Sequence, residues 1–136
     1  NQKLRKKIPS NIICIARTES QEELAEYYSM ADVVLNLSYQ ESFGLTTVEG
    51  LACGTPGIVY NKTASPELIN KETGVIVEVG NMEQVISAIN YIIKNGKEFY
   101  SSACVERART SFDKDKCFHR YIELYEELLN RKKEKG

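Results

Sequence analysis

Residues 41–57 read ESFGLTTVEGLACGTPG, and two carboxylates, Glu41 and Glu49, bracket a glycine, Gly44, within this run. The run follows a β-branched segment and opens a helical pattern. In open α/β sheets, ligands bind at the carboxyl ends of strands, where such strand-to-helix turns lie. The first turn of a helix leaves backbone N–H groups without partners. Together with the positive end of the helix dipole they favour an anion such as pyrophosphate. Gly44 has no Cβ, so its backbone can approach a ligand closely. The carboxylates suit a different partner. They repel a diphosphate but accept hydrogen bonds from hydroxyls, and such charge-assisted bonds are the stronger kind. An acid on a ribose is already the arrangement of dinucleotide sites. Phosphates in the middle with a sugar at each end describe a nucleotide-sugar. The plainer alternative is that Glu41 only complements the helix dipole and Glu49 is a solvated helix residue.

The elements that must position these groups alternate short β-branched runs with helical patterns, which predicts a parallel sheet covered by helices. Asn11 to Ala16 (NIICIA) reads as a buried strand. Ser20 and Glu23 form a capping box that starts a helix reaching about Met30. Val33 to Ser38 is the second strand. The helix from Leu45 to Cys53 should pack Val48, Leu51 and Ala52 on the sheet and leave Glu49 on a flank. Gly54 supplies its left-handed stop and Pro56 prevents continuation. Gly57 to Tyr60 is the third strand, Pro66 to Asn70 a helical turn, and Gly74 to Val79 the fourth strand. Asn81, with Gln84 three residues on, caps a helix whose face carries Val85, Ile86, Ile89, Ile92 and Ile93 and which Gly96 ends. Two more helices follow, about Lys97 to Thr110 and Lys114 to Lys132, the last capped by Asp113. Its stripe of Phe118, Ile122, Tyr125, Leu128 and Leu129 reads as a core-packing face, as do Tyr91, Phe99 and Tyr100.

Composition sets the frame. A chain of 136 residues fits one domain with a real core. A net charge of −1 offers no long-range field to nucleic acid or anionic lipid. The basic clusters of Lys3, Arg5, Lys6 and Lys7, and of Arg131, Lys132, Lys133 and Lys135, read as solvated ends, with a weak membrane-surface contact as the minority alternative. Cys14, Cys53, Cys104 and Cys117 show no metal-type spacing, and His119 is the sole histidine. Cys14 and Cys53 sit in apolar stretches and read as small core residues. Free thiols fit a reducing cytoplasm. No apolar run reaches membrane-spanning length, and Pro9, Ser10 and Asn11 interrupt any signal-peptide pattern.

The Glu41–Gly57 block closely resembles the E-x7-E signature of retaining glycosyltransferases of the GT-B fold, above all those of family 4. There it commonly reads E-G-F-G-L-x-x-x-E-A-M-A-x-G-x-P-V. The flanks are similar too: Met30-Ala31-Asp32-Val33 before it, Ser65-Pro66-Glu67-Leu68-Ile69 and Thr73-Gly74-Val75-Ile76-Val77 after it. The resemblance runs from Ile12 to about Leu129. It implies a truncated Rossmann-like parallel sheet, the C-terminal donor-binding domain of the GT-B fold, flanked by helices and followed by C-terminal helices. On this expectation residues 1–136 form a single domain, shortened at its N-terminus.

The implied activity is retaining transfer of a sugar from a nucleotide diphosphate sugar to an acceptor hydroxyl, often in cell-surface polysaccharide or glycolipid synthesis. The implied setting is the cytoplasm, with the inner face of the membrane as a peripheral site. Carried over by position, Glu41 would bond the transferred sugar, and the amides of Phe43, Gly44 and Leu45 would approach that sugar and the distal phosphate. Thr46 would lie beside the phosphates and Glu49 would take the ribose hydroxyls. Glu67 would act locally. No catalytic residue is assignable, and no metal or cofactor is implied beyond the donor itself. Ser42, Gly50 and Gly57 depart from the family's Gly, Ala and Val. Gly50 costs about 1 kcal/mol of helix propensity relative to Ala and would permit a close contact at that face.

The acceptor domain and the first two strands of the donor domain, with their phosphate-clamping Arg and Lys, are expected to be missing. Arg17 is a possible base-side contact, with plain surface exposure as its alternative. In the order 3-2-1-4-5-6 the missing strands separate NIICIA from VVLNLS, so NIICIA should pair beside VVLNLS or with another chain. Two other functions remain open: a non-catalytic nucleotide-binding or assembly module, and a GT-B nucleotide-sugar epimerase.

Overall fold

The computed structural model describes residues 8–133; the cluster from Lys3 to Lys7, and Lys135, lie outside them. Three parallel strands form the sheet in the order β1 (Val34–Asn36), β2 (Gly57–Tyr60), β3 (Gly74–Val77). Val34 stands opposite Gly57, and Gly57 opposite Gly74. Parallel neighbours need crossovers. Here α2 (Leu45–Ala52) and the single turn α3 (Ser65–Leu68) supply them. Ahead of β1 lies α1 (Gln21–Met30), and after β3 come α4 (Met82–Asn95), α5 (Glu98–Ser111) and α6 (Lys114–Lys133).

Every residue of β2 is buried, because helices cover both of its faces. Ile58 and Val59 form the core with Leu51 of α2, Val85 and Ile92 of α4, and Tyr100 and Cys104 of α5. Burial pushes the Cys104 thiol up to about 12, which makes it an inert packing group. Local chemistry sets the boundaries. The Glu23 N–H donates to Ser20 Oγ at 3.1 Å, while the Glu23 carboxylate returns its bond to Glu19 N–H, one residue before the cap. Asn81 Oδ1 accepts from Gln84 N–H at 3.0 Å. Gly54 follows α2 in the left-handed region, and Gly96 ends α4.

Several expectations need correction. NIICIA forms no strand: residues 12–17 are coil, and Ile13 is 87% exposed. The doubly wound order places two strands between this run and β1, and none of the described residues supplies them. It does not pair beside β1, whose one partner is β2. Cys14 is accordingly exposed and Cys53 half-buried. On α2 the buried stripe is Thr47, Gly50 and Leu51, and Ala52 faces out. On α4 the apolar face splits, with Val85 and Ile92 buried while Ile86 and Ile93 are exposed. Tyr100 enters the core, but Tyr91 and Phe99 do not. The α6 stripe of Phe118, Ile122, Tyr125, Leu128 and Leu129 is exposed throughout, since no described element lies across it.

Gly50 explains how α2 sits so close to the sheet. A Cβ there would meet Val34 Cγ2 at 2.7 Å. Val34 is β-branched, held in β1 and stiff about χ1, so it cannot swing away. Overpacking costs about 1–3 kcal/mol, against about 1 kcal/mol of propensity that Ala would restore. Gly50→Ala is therefore expected to lower stability by about 1 kcal/mol in urea unfolding. An increase would show that Val34 yields freely.

Candidate functional site

The candidate site is the rim where β1 and β2 end. From β1 the chain runs through residues 37–43 to Gly44, the N-cap of α2. Gly44 has φ +94, and a Cβ there would lie 2.5 Å from Leu68 Cδ1 and 3.3 Å from Glu41 Cγ. No other residue type fits both that conformation and that space. The first turn of α2 holds no acidic residue, and no side chain caps it. Among the described residues, the N–H groups of Gly44, Leu45 and Thr46 donate to no acceptor, while Gly44 O accepts from Thr47 and Val48. The helix start therefore stays open for an anion.

Asn36, the last residue of β1, is buried under this turn. Its Nδ2 donates to Thr47 Oγ1 at 3.1 Å and to Glu41 Oε2 at 3.4 Å, and its Oδ1 accepts from Ser38 Oγ at 2.8 Å. Glu41 is thus held at the rim, half-buried. Its own N–H donates to Thr63 Oγ1, on the loop after β2, at 3.2 Å.

Glu49 belongs to a second cluster. The Tyr28 hydroxyl on α1 donates to Glu49 Oε2 at 2.9 Å. Burial, then the hydrogen bond and charge of Glu49, push that hydroxyl up to about 12. Tyr28 and Glu49 line a cleft of about 280 Å³ between α1 and α2, with Gln21, Leu24, Ala52 and Cys53. Glu41 does not line it. The two carboxylates therefore flank the start of α2 without sharing one pocket. Neither is ion-paired: among the described residues the single salt bridge joins Arg131 and Glu127. Beyond the bonds from Asn36 and Tyr28, their remaining lone pairs can accept from neutral donors such as sugar hydroxyls.

The other expected site residues divide. Leu45 and Thr46 are exposed at the helix start. The Phe43 ring packs edge-on against Phe112 at 5.9 Å, so only its backbone faces the turn's opening. Glu67 serves local structure through its carbonyl, which accepts from Arg107. Arg17 is exposed in coil and His119 exposed on α6. A roomier depression of about 870 Å³ along β3 and α4 is lined by Glu78, Glu83, Asn81 and Gln84 but no basic residue, and its two carboxylates disfavour a phosphate. Among the described residues no three His, Cys, Asp or Glu side chains gather as a metal site, and no helix is long and apolar enough to cross a membrane. Sequence reasoning missed Asn36, Tyr28 and Thr63. A polar residue inside the apolar VVLNLS run was a signal for Asn36. Tyr28 and Thr63 gave none, because their partners lie far along the chain.

An open parallel sheet with an uncapped, glycine-initiated helix at its carboxyl rim is a Rossmann-like α/β architecture. More specifically, residues 1–111 match the family model described as glycosyl transferases group 1, and the chain belongs to that family. It is 35% identical over 114 residues to N-acetyl-alpha-D-glucosaminyl L-malate synthase of Bacillus anthracis, covering 80% of this chain and 29% of that protein. Among solved structures it superposes on sucrose-phosphate synthase from Thermosynechococcus elongatus with a TM-score of 0.69 and 31% identity, over 81% of this chain and 28% of that one. Anabaena HepE in complex with UDP shares the fold, with a TM-score of 0.67 at 22% identity over 75% of this chain and 29% of that one. The chain thus spans under a third of each of these proteins, and the fold class is the GT-B type expected from the sequence.

The raised Tyr28 value has a testable consequence. A tyrosine whose folded pKa exceeds its unfolded value of about 10 contributes stability that is complete below pH 10 and is lost as pH rises toward about 12. Tyr28→Phe should remove one late-titrating tyrosinate from the ultraviolet titration and flatten this alkaline loss. Loss of a tyrosinate that titrates near the ordinary value of about 10 would place the Tyr28 hydroxyl in solvent, away from Glu49.

Proposed function

We propose that this chain is the donor-binding part of a retaining glycosyltransferase that moves a sugar from a nucleoside diphosphate sugar to an acceptor hydroxyl. The observation that carries the reading is the open start of α2 at Gly44, flanked by Glu41 anchored on Asn36 and Glu49 anchored on Tyr28. In this reading the amides of Phe43, Gly44 and Leu45 receive the distal phosphate, with Thr46 beside it. Glu41 accepts hydroxyls of the transferred sugar, and Glu49 accepts those of the ribose from the α1–α2 cleft. These groups bind and orient the donor and stabilise the leaving diphosphate. No side chain here is given the part of nucleophile or base, and no metal or cofactor is called on.

The names of the relatives support sugar transfer, and the UDP in the HepE structure supports a nucleoside diphosphate as the shared ligand. Retention rests on the E-x7-E resemblance. In this proposal residues 1–136 act as one donor domain, and the rest of the enzyme supplies the acceptor side and the phosphate-clamping Arg and Lys. The work is placed in the cytoplasm, at or near the membrane's inner face, in polysaccharide or glycolipid assembly. The exposed run at Ile12, Ile13 and Ile15 suits pairing with that remainder or with a second chain.

Donor titration of the full-length protein tests the assignment. A hydrogen bond to a charged group is worth about 1.5–3 kcal/mol, or about ten- to a hundredfold in affinity. Glu49→Ala should lose that factor toward the bare nucleoside diphosphate. Glu41→Ala should bind the bare nucleotide normally and lose the extra affinity conferred by the sugar. Parental binding of both ligands by both variants would refute the site.

A further inference from the structure

Thr63 is the one non-glycine among the described residues with a positive φ, +54. Left-handed backbone is a genuine outlier for a β-branched residue, and such outliers persist where the surroundings impose them, often at functional sites. Thr63 lies on the loop that leaves the carboxyl end of β2, and among the described residues the rim of the candidate site is its only long-range hydrogen-bond neighbour. Its hydroxyl donates to the preceding carbonyl, Lys62 O, at 2.8 Å and accepts from Glu41 N–H at 3.2 Å. The first bond orients the hydroxyl so that a lone pair faces Glu41. Two residues on, the Ser65 hydroxyl is fully buried and has no hydrogen-bond partner among the described residues. Two separate local costs therefore fall in one three-residue turn, and glycine would remove the first.

We infer that Thr63 is a positioning residue: its hydroxyl holds the backbone of Glu41 so that the carboxylate, steadied from beneath by Asn36, meets the donor sugar at a fixed place. This rests on the donor-binding reading above. Glycine at 63 would adopt the backbone without strain but has no hydroxyl to offer. Alanine keeps the strain and loses the hydroxyl. Serine keeps the hydroxyl with one methyl less. The three substitutions separate backbone shape from hydrogen bonding.

The test uses the full-length protein and calorimetric titration with UDP and GDP, each bare and as its glucose, N-acetylglucosamine or mannose ester. The readout is the sugar increment, the ratio of Kd for the bare nucleotide to Kd for the best-bound ester. Thr63→Ala is expected to cut the increment by about five- to tenfold, the worth of one net hydrogen bond, and to leave bare-nucleotide affinity within about twofold. Thr63→Gly should lose as much, and Thr63→Ser should retain it. In a Glu41→Ala background, Thr63→Ala should cost nothing further, because the two act through one contact. An unchanged increment in Thr63→Ala, a full increment in Thr63→Gly, or additive losses in the double variant would each overturn the inference. If Glu41→Ala abolishes the increment while the Thr63 variants keep it, only the role of Thr63 falls. If no ester binds more tightly than its nucleotide in the parent, the donor-binding reading fails and this inference with it.

Discussion

The buried amide of Asn36 is the contact on which the rim depends. It closes β1 at the point where the chain must turn toward α2, in surroundings where an unmatched polar group is costly. Both of its N–H donations are used, one on Thr47 inside α2 and one on Glu41 in the loop ahead of it, and its oxygen receives Ser38. One side chain therefore joins strand, loop and helix. Gly44 completes the junction, since only a residue without Cβ leaves space for Leu68 of α3 and Glu41 at once. With the turn fixed in this way, the direction of the three free N–H groups is fixed as well.

That rigidity lets the two acids do different things. Glu41 is held by an amide and a backbone anchor at the rim, and Glu49 by a phenol in the cleft between α1 and α2. They do not approach one another as a catalytic pair. In the proposed reading an anion at the start of α2 lies between them, with a sugar on each side of the diphosphate. Among the described residues neither carboxylate is ion-paired, which leaves acceptor capacity for hydroxyls.

Most of this fold was legible because its signals are local. Ser20, Asn81 and Asp113 announce helices within a turn of themselves, and Gly54 and Gly96 end two. The GIVY run is uniformly apolar because β2 is covered on both faces. Legibility failed where a residue's environment is made by distant chain. NIICIA has the composition of a buried strand, and the α6 stripe has the period of a packed face, but among the described residues nothing covers either. Periodicity shows which face wants to be covered, not whether anything covers it. The E-x7-E block exposed Glu41, Gly44 and Glu49. Their anchors are separated from them by as many as 22 residues, as for Thr63, and no local pattern encodes such a pairing.

The distribution of local rule-breaking is itself informative. Away from the rim the chain agrees with its own propensities: α1, α4 and α6 begin on side-chain caps whose bonds are made. Helix α5 lacks one only because it follows α4 across Gly96 and Lys97. At the rim three conflicts gather. Helix α2 starts without a side-chain cap, Thr63 occupies a backbone region that its side chain resists, and the Ser65 hydroxyl is buried unpaired. Packing alone would favour removing the last two, and ordinary substitutions such as Thr63→Gly and Ser65→Ala could do so. Sequences that specify one structure tend to be consistent across levels except where function demands otherwise. The clustering at the ends of β1 and β2, and not along the larger depression beside β3, therefore supports the rim as the donor site proposed above.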